Sequence, residues 1–332
     1  MKKKLLIVVT LCTLTTIIGY ELPHHASPLS TGLKTKIIRA SQNGYINPLL
    51  EYEISDKLYG GELKNFDEEI GTLVKQKIKS GQAQEVSVYF RSLNNGPWFG
   101  INQDVHYFPA SLLKVPVMLT FLKLADTDST ILKKKITYNQ SDKDLIDFDN
   151  PLYFKPKETI KVEETYTVEE LLKKMIIYSD NLSKNLLILN LPDTDKLLHV
   201  YTDLGLISEP ELNSQKDSLS VHDYATFYRI LYNATYLSKD MSKMALALLV
   251  RSDFKDGLGA KLPINIEIAH KFGEYAHDTV KQLHDCGIVY YPKSPYILCI
   301  MTRGSSFPDL EQTIQDISFT VYKHIDTQSN PN

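Results

Sequence analysis

Cysteine is scarce, with three residues in 332, too few for a disulfide-stapled scaffold. No Cys-x-x-Cys occurs, and the paired histidines, His24 and His25, lie in a polar N-terminal stretch without a cysteine nearby. The side chains of a zinc site are therefore missing, and no metal or other cofactor is expected. Positive charge is not in excess either. With 37 basic and 40 acidic residues the formal charge is −3, which gives no field to hold a phosphate backbone, so nucleic acid is not an expected partner. Internal repeats and low-complexity tracts are absent. Only the N-terminus has an apolar run of any length, which excludes a multi-span membrane protein. What remains, 43% hydrophobic and 23% charged, is an ordinary globular composition, enough for one large domain or two small ones.

The apolar run follows Lys2, Lys3 and Lys4 and extends from Leu5 to Gly19. Its length is short for a membrane span and matches the central region of a signal peptide. No small-x-small cleavage site follows cleanly, which leaves an uncleaved anchor as the alternative. Residues 1–20 are accordingly expected to lie outside the fold, with the chain exported to the periplasm or beyond and its cysteines in an oxidising compartment. Cys12 would leave with this segment. The same segment removes three lysines and no acid, leaving the body of the chain at a net charge of −6.

Residues 21–60 mix Pro, Gly, Ser and Asn without a sustained period and read as a linker or docked arm. From Glu62 to Ile78, the apolar positions Leu63, Phe66, Ile70, Leu73, Val74 and Ile78 recur at spacings of three and four, one face of a helix. Glu85 to Arg91 then alternates as a strand, with a hairpin turn at Asn94-Asn95-Gly96. Helices are expected over 112–124, 168–177, 181–189, 194–204, 221–231 and 242–250. The stretch 126–161 between them reads as loops with one or two short strands. Strands are expected over 266–272, 282–291 and 296–302, the last two joined at Pro292-Lys293, before a closing helix over 309–325. A chain that opens with a helix and hairpin, inserts a helical block and returns with strands and a helix predicts an α/β fold of the α+β type. Its antiparallel sheet would be built from 61–105 and 251–328 and flanked by N- and C-terminal helices, beside an all-helical lobe over 106–250. A groove between such lobes is a natural place for a site.

Ser111 and Lys114 lie three apart at a helix start, on one face, where an unprotonated lysine can take the serine proton. The neighbours Leu112, Leu113, Val115, Pro116, Val117 and Met118 make Lys114 the one charge in an apolar helix, and burial there would lower its pKa. The same spacing recurs at Ser252 and Lys255, without that setting. Ser179-Asp180-Asn181 follows 68 residues after Ser111, and such residues also serve as ordinary helix caps. Lys271-Phe272-Gly273 follows 92 residues further on, at the end of an apolar strand. Lys79-Ser80-Gly81 matches the third motif better as a string, but it lies upstream of Ser111 at a helix end.

In this order, the three motifs resemble the signatures of class A β-lactamases and penicillin-binding proteins. The resemblance takes in Phe108-Pro109-Ala110, Tyr166 to Leu171, Asn181 to Leu187 and Glu209-Pro210-Glu211-Leu212-Asn213, and it spans roughly residues 60–328. It implies a β-lactamase/transpeptidase-like fold for 61–328 and a monomeric serine hydrolase that opens β-lactam amides through an acyl-serine. Ser111 would be the nucleophile and Lys114 its base. Ser179 would relay a proton to the leaving nitrogen, Asn181 would bind the substrate amide, and Lys271 would supply positive charge. The backbone N–H groups of Ser111 and Glu274, beside Gly273, would form the oxyanion hole. Glu209, steadied by Asn213, would activate the deacylating water.

Three departures stand out. Phe272 replaces the Ser or Thr whose hydroxyl binds the β-lactam carboxylate in the family; His284 and Arg303 are candidates to compensate. Six residues separate Asn213 from Ser220, a short omega loop, and Ile207 stands where an arginine is common. The segment 126–161 has loops of its own beside the groove. A peptidase acting on D-alanyl-D-alanine or another cell-wall amidase or esterase is the alternative function, and a non-catalytic envelope protein or β-lactam sensor a second. Cys286 and Cys299 are equidistant from the Pro292-Lys293 turn and fall opposite each other, with free buried thiols expected over a bond.

Overall fold

The computed structural model describes residues 37–39, 45, 50–52, 60–94, 96–147, 153–204, 206 and 219–329. Strands β1 (Ile37–Arg39) and β2 (Leu50–Tyr52) pair antiparallel in a small unit of their own, a sheet that the aperiodic sequence of this arm does not announce. Tyr45 belongs to the second, larger unit. There its backbone carbonyl accepts a hydrogen bond from Tyr290 Oη at 2.9 Å, and its own hydroxyl donates to Glu267 Oε1 at 3.2 Å.

The larger unit opens with helix α1 (Gly60–Lys79), which buries Phe66, Ile70 and Val74 at the expected spacing. Strands β3 (Glu85–Ser92) and β4 (Trp98–Ile101) follow as a hairpin. A 3₁₀ turn, Ala110–Leu113, leads into α2 (Lys114–Thr127). Strand β5 (Lys135–Tyr138) and helix α3 (Gln140–Ile146) lie in the stretch read as loops with one or two short strands, and strand β6 (Glu164–Thr167), just after it, pairs antiparallel with β5. Next come α4 (Val168–Ile177), α5 (Asn181–Leu189), α6 (Asp195–Asp203), α7 (Val221–Asn233) and α8 (Lys239–Val250). Strands β7 (Ile268–His277), β8 (Val280–Val289) and β9 (Tyr296–Gly304) and helix α9 (Phe307–Ser329) close the chain. The five-stranded sheet has the order β4-β3-β9-β8-β7, antiparallel throughout, so chain segments more than 200 residues apart meet at β3 and β9.

Two apolar clusters lie on the two faces of this sheet. One joins α1 and α9 through Phe66, Ile70, Ile314 and Val321 to Val86, Leu298 and Ile300. The other joins the helical block to the sheet through Met118, Phe227 and Tyr228 packed with Ile288 and Ile297. Alternating side-chain direction along period-two strands buried on both faces sends neighbouring residues to opposite clusters, which is why Cys286 and Cys299 face the helices and Leu298 and Ile300 the other side.

Two expectations are corrected here. The last sheet strands run longer at the β7 end than the apolar run suggests, because Glu274 to His277 remain paired with Leu283 to Val280 through backbone hydrogen bonds that need no apolar side chains. Cys286 and Cys299 are joined by a disulfide and are not free thiols. The register about Pro292-Lys293 does set them directly opposite, with Cα atoms 3.9 Å apart, and both side chains emerge on the same buried face.

The capping box before α4 is present as read from sequence: Glu170 N–H donates to Thr167 Oγ1 at 3.2 Å and Thr167 N–H donates to Glu170 Oε2 at 2.7 Å. Thr167→Ala is expected to lower the unfolding free energy by about 1 kcal/mol, measured by urea denaturation, because the first turn of α4 loses an acceptor.

Candidate active site

Ser111 is carried by the 3₁₀ turn and not by an α-helix start. In a 3₁₀ turn, residues three apart eclipse one another, which aligns the Ser111 side chain over that of Lys114. Pro116 is tolerated because it lies in the first turn of α2, where its missing N–H has no helical partner to lose. The turn is clamped from several sides. Tyr224 Oη of α7 donates to Leu112 O at 2.9 Å, and Phe108 N–H donates to Gln282 Oε1 at 3.1 Å. His284 Nε2 donates to Phe108 O at 3.1 Å while its Nδ1 accepts from Thr302 N–H at 3.3 Å. Burial pushes His284 down to about 4, so the ring stays neutral in this role. Ala110 adopts a left-handed φ of 50°, and so does Ser179 at 59°. For residues with a Cβ each such conformation costs about 1–3 kcal/mol, which the clamps must hold in place.

Lys114 Nζ is the centre of the site. It lies 2.6 Å from Ser111 Oγ, 2.7 Å from Ser179 O, 3.0 Å from Ser179 Oγ and 2.7 Å from Asn181 Oδ1. It is wholly buried, and burial, with the charges of Lys271 and Lys184 adding to it, holds its pKa well below the usual lysine value. Asp180 and Glu274 oppose that shift. A lysine so placed spends more of its time as a neutral amine, with a lone pair for the Ser111 hydroxyl proton.

Ser179-Asp180-Asn181 combines the two roles that such a string allows. Asp180 is the cap of α5: its carboxylate accepts from Leu182 N–H at 3.3 Å and Ser183 N–H at 2.9 Å, and from Thr159 Oγ1 at 2.7 Å. The cap fixes the turn so that Ser179 and Asn181, on either side, both reach Lys114. Lys271 Nζ then donates to Ser179 Oγ at 3.0 Å and to Phe272 O at 2.9 Å. Burial lowers the Lys271 pKa to about 7, against the pull of Asp285 and Glu274. The three motifs, spread over about 160 residues, thus bring together two hydroxyls and two amines.

Gly273 lets β7 lie against the nucleophile turn. A Cβ there would stand 2.9 Å from Pro109 O and 3.2 Å from Leu112 N. The Phe272 ring turns into an aromatic cluster, stacked on Phe254 at 4.1 Å and edge-on to Phe154 at 5.5 Å, with Lys271 Nζ 4.1 Å from its centroid. Glu274 lines a cleft of about 620 Å³ together with Ser111, Lys114, Asn181, Tyr153 and Phe307.

His284 and Arg303, two candidates to compensate for Phe272, are held elsewhere. His284 is buried behind the turn, and Arg303 pairs with Glu85 at 2.5 Å and donates to His106 O at 3.3 Å. Neither lines the cleft. Glu209 and Asn213 lie outside the described residues. The second Ser-x-x-Lys is a plain turn: Lys255 Nζ donates to the Ser252 carbonyl at 2.7 Å. Sequence reasoning missed the Glu274 side chain, the Tyr153-Phe154 segment and Tyr224. Each acts through contacts more than 100 residues away in the chain, for which no local string is a signal.

The chain belongs to the β-lactamase enzyme family, whose model matches residues 65–325. It is 24% identical over 238 residues to a β-lactamase of Streptomyces albus G, covering 68% of this chain and 74% of that protein. It is 23% identical over 244 residues to β-lactamase VEB-1 of Pseudomonas aeruginosa, covering 68% and 79%. Among solved structures it is similar to an acyl-enzyme complex of a PBP-A mutant with penicillin G, at 25% identity and a TM-score of 0.66 over 80% of this chain and 97% of that one. The TLA-3 extended-spectrum β-lactamase shares the fold at 20% identity and a TM-score of 0.67, over 78% and 99%. The expected fold class and family are thus both met, and the chain is a β-lactamase-like hydrolase.

Proposed function

We propose that this hydrolase works through an acyl-enzyme on Ser111 and that β-lactam amides are among its substrates. The observation that carries the reading is the buried Lys114 Nζ, 2.6 Å from Ser111 Oγ and depressed in pKa. Lys114 takes the hydroxyl proton as Ser111 Oγ bonds to the carbonyl carbon, and the backbone N–H groups of Ser111 and Glu274 stabilise the oxyanion. Ser179 Oγ, between both lysines, passes a proton to the lactam nitrogen as the C–N bond breaks. Asn181 orients the substrate amide, and Lys271 adds positive charge. Deacylation by a water that Glu209 activates, with Asn213 beside it, follows from the family resemblance. The PBP-A mutant's acyl-enzyme with penicillin G supports the same covalent step.

One observation favours a second reading, a D-alanyl peptidase or related cell-wall amidase: the β7 face that would meet a β-lactam carboxylate presents the Phe272 ring and no hydroxyl. The lysine-led apolar run before Gly19 supports export of the chain, signal-cleaved or anchored, and the Cys286–Cys299 disulfide suits an oxidising compartment.

Intact-protein mass after brief and long exposure to benzylpenicillin tests both readings. We expect a gain of one penicillin mass on the peptide containing Ser111, lost again on standing. A stable adduct favours the peptidase, and neither adduct nor penicillin turnover at any pH from about 5 to 9 refutes the acyl-serine mechanism.

A further inference from the structure

Phe272 and Glu274 stand two apart on β7 and therefore share a face of the strand. Phe272 fills that face with a buried ring, and Glu274 carries it into the cleft. The Glu274 carboxyl is held in place: both its oxygens accept from Phe154 N–H, at 3.3 and 3.1 Å. Phe154 is itself fixed by edge-on contacts to Phe254 and Phe272, and Tyr153 stacks on Phe307 at 4.6 Å. Lys157 pairs with Asp253 at 2.7 Å and Thr159 bonds Asp180, so the whole segment is tied across the cleft end. The hydrogen bonds of the two lysines go to Ser111, Ser179, Asn181 and the Phe272 carbonyl.

The cleft open to an acyl group on Ser111 runs beside β7: Ser111, Glu274, Tyr275 and Ala276 all line it, and Gly273 touches the turn that carries the serine. A substrate group reaching the Phe272–Glu274 face meets a ring with no donor and then a carboxyl. We infer that Glu274 selects substrate charge in this cleft: the site favours an acyl substrate whose group beside β7 is neutral or cationic, and admits a carboxylate there once Glu274 is protonated. This deepens the acyl-Ser111 reading and presupposes it.

Burial raises Glu274 to about 7, opposed by the N–H groups of Phe154 and Tyr153 and by Lys114 and Lys271. Below that pH the neutral acid can donate to a substrate carboxylate; above it the carboxylate repels one. The other charged or titratable groups around it are Tyr275 on β7, Asp147 after α3, Asp180 and Lys184 on α5, and Tyr153, backed by Glu311 and Asp256. Lys271 also titrates near 7 and would weaken anion binding at alkaline pH by itself, so a variant has to separate the two.

The probe pair is benzylpenicillin and its methyl ester, compared by the second-order rate of Ser111 acylation at about pH 5.5 and about pH 8.5. In the wild type, the acid-to-ester rate ratio is expected to fall about tenfold or more between the two conditions. Glu274→Gln keeps the shape and an acceptor for Phe154 N–H. It is expected to raise the ratio about fivefold or more at the higher pH and to leave it within about twofold at the lower. Removing Glu274 also lowers the Lys271 pKa, an effect of opposite sign that cannot imitate this result. Acylation with a ratio that Gln does not move at either pH overturns the selection alone and leaves the alkaline loss to Lys271. Acylation by neither compound in either protein overturns the acyl-serine mechanism and this role of Glu274 together.

Discussion

Lys114→Ala is expected to slow acylation of Ser111 by at least about a thousandfold, the usual range for removal of a positioned general base that also orders its neighbours. The size follows from how much converges on one nitrogen. Lys114 Nζ contacts Ser111 Oγ, both oxygens of Ser179 and the Asn181 side chain, so the variant loses the proton acceptor and unties the second motif from the first. The pH dependence has a definite sign. Because burial holds the lysine pKa well below its usual value, a larger share of Lys114 is the reactive neutral amine than of a free lysine, and its contribution to wild-type acylation is expected to fall toward acid pH as Lys114 takes a proton. Stopped-flow rates with a chromogenic cephalosporin check both points: the residual rate of the alanine variant should lack that acid limb. A variant within tenfold of the wild type would remove Lys114 from the role of base. Circular dichroism has to show an intact fold, since the emptied pocket leaves Ser179 O without its partner.

How the sequence displays such a site can be seen by comparing the two Ser-x-x-Lys strings. At Ser111 the run of apolar neighbours foretold a buried lysine, and Lys114 has no exposed surface. At Ser252 the same spacing makes a turn whose serine is buried and whose lysine is exposed, with Lys255 bonded to a carbonyl. Setting, and not spacing, separated them. The helix α4 was legible because a cap at Thr167 preceded a 3.6-residue period, and the β8–β9 register was legible from the centre of its turn. The polar half of β7 was not, because its strand is held by backbone pairing with β8 and not by an apolar pattern. The Glu274 carboxyl was illegible for a related reason. Its holder, Phe154, is 120 residues away, in a segment whose composition resembles any loop. The disulfide shows the converse: spacing fixed which residues face each other, but not that a bond joins them.

Gly273→Ala is expected to cut acylation by about a hundredfold or more while leaving a folded protein, a larger loss than its one added methyl suggests. The new Cβ would stand 2.9 Å from Pro109 O, 3.0 Å from Leu112 Cγ and 3.2 Å from Leu112 N. Two of these neighbours are backbone atoms of the turn carrying Ser111, so relief cannot come from a side chain rotating away. That turn is already held by Tyr224, Gln282 and His284, and its Ala110 is in a left-handed conformation. Strand β7 is bound along its length to β8 and has little freedom to retreat. The strain therefore has to appear as a shift of Ser111 relative to β7 and Lys114, and displacements near 1 Å from productive geometry cost about a hundredfold in rate. The stability cost of such overpacking is expected to be about 1–3 kcal/mol, small enough for the variant to remain folded. Gly71→Ala is the matched control: in the middle of α1 its nearest neighbour is Ile101 Cδ1 at 3.8 Å, and it should leave acylation unchanged and add about 1 kcal/mol of stability. Acylation at the wild-type rate in Gly273→Ala would mean that β7 and the serine turn are not in the close contact on which the site depends.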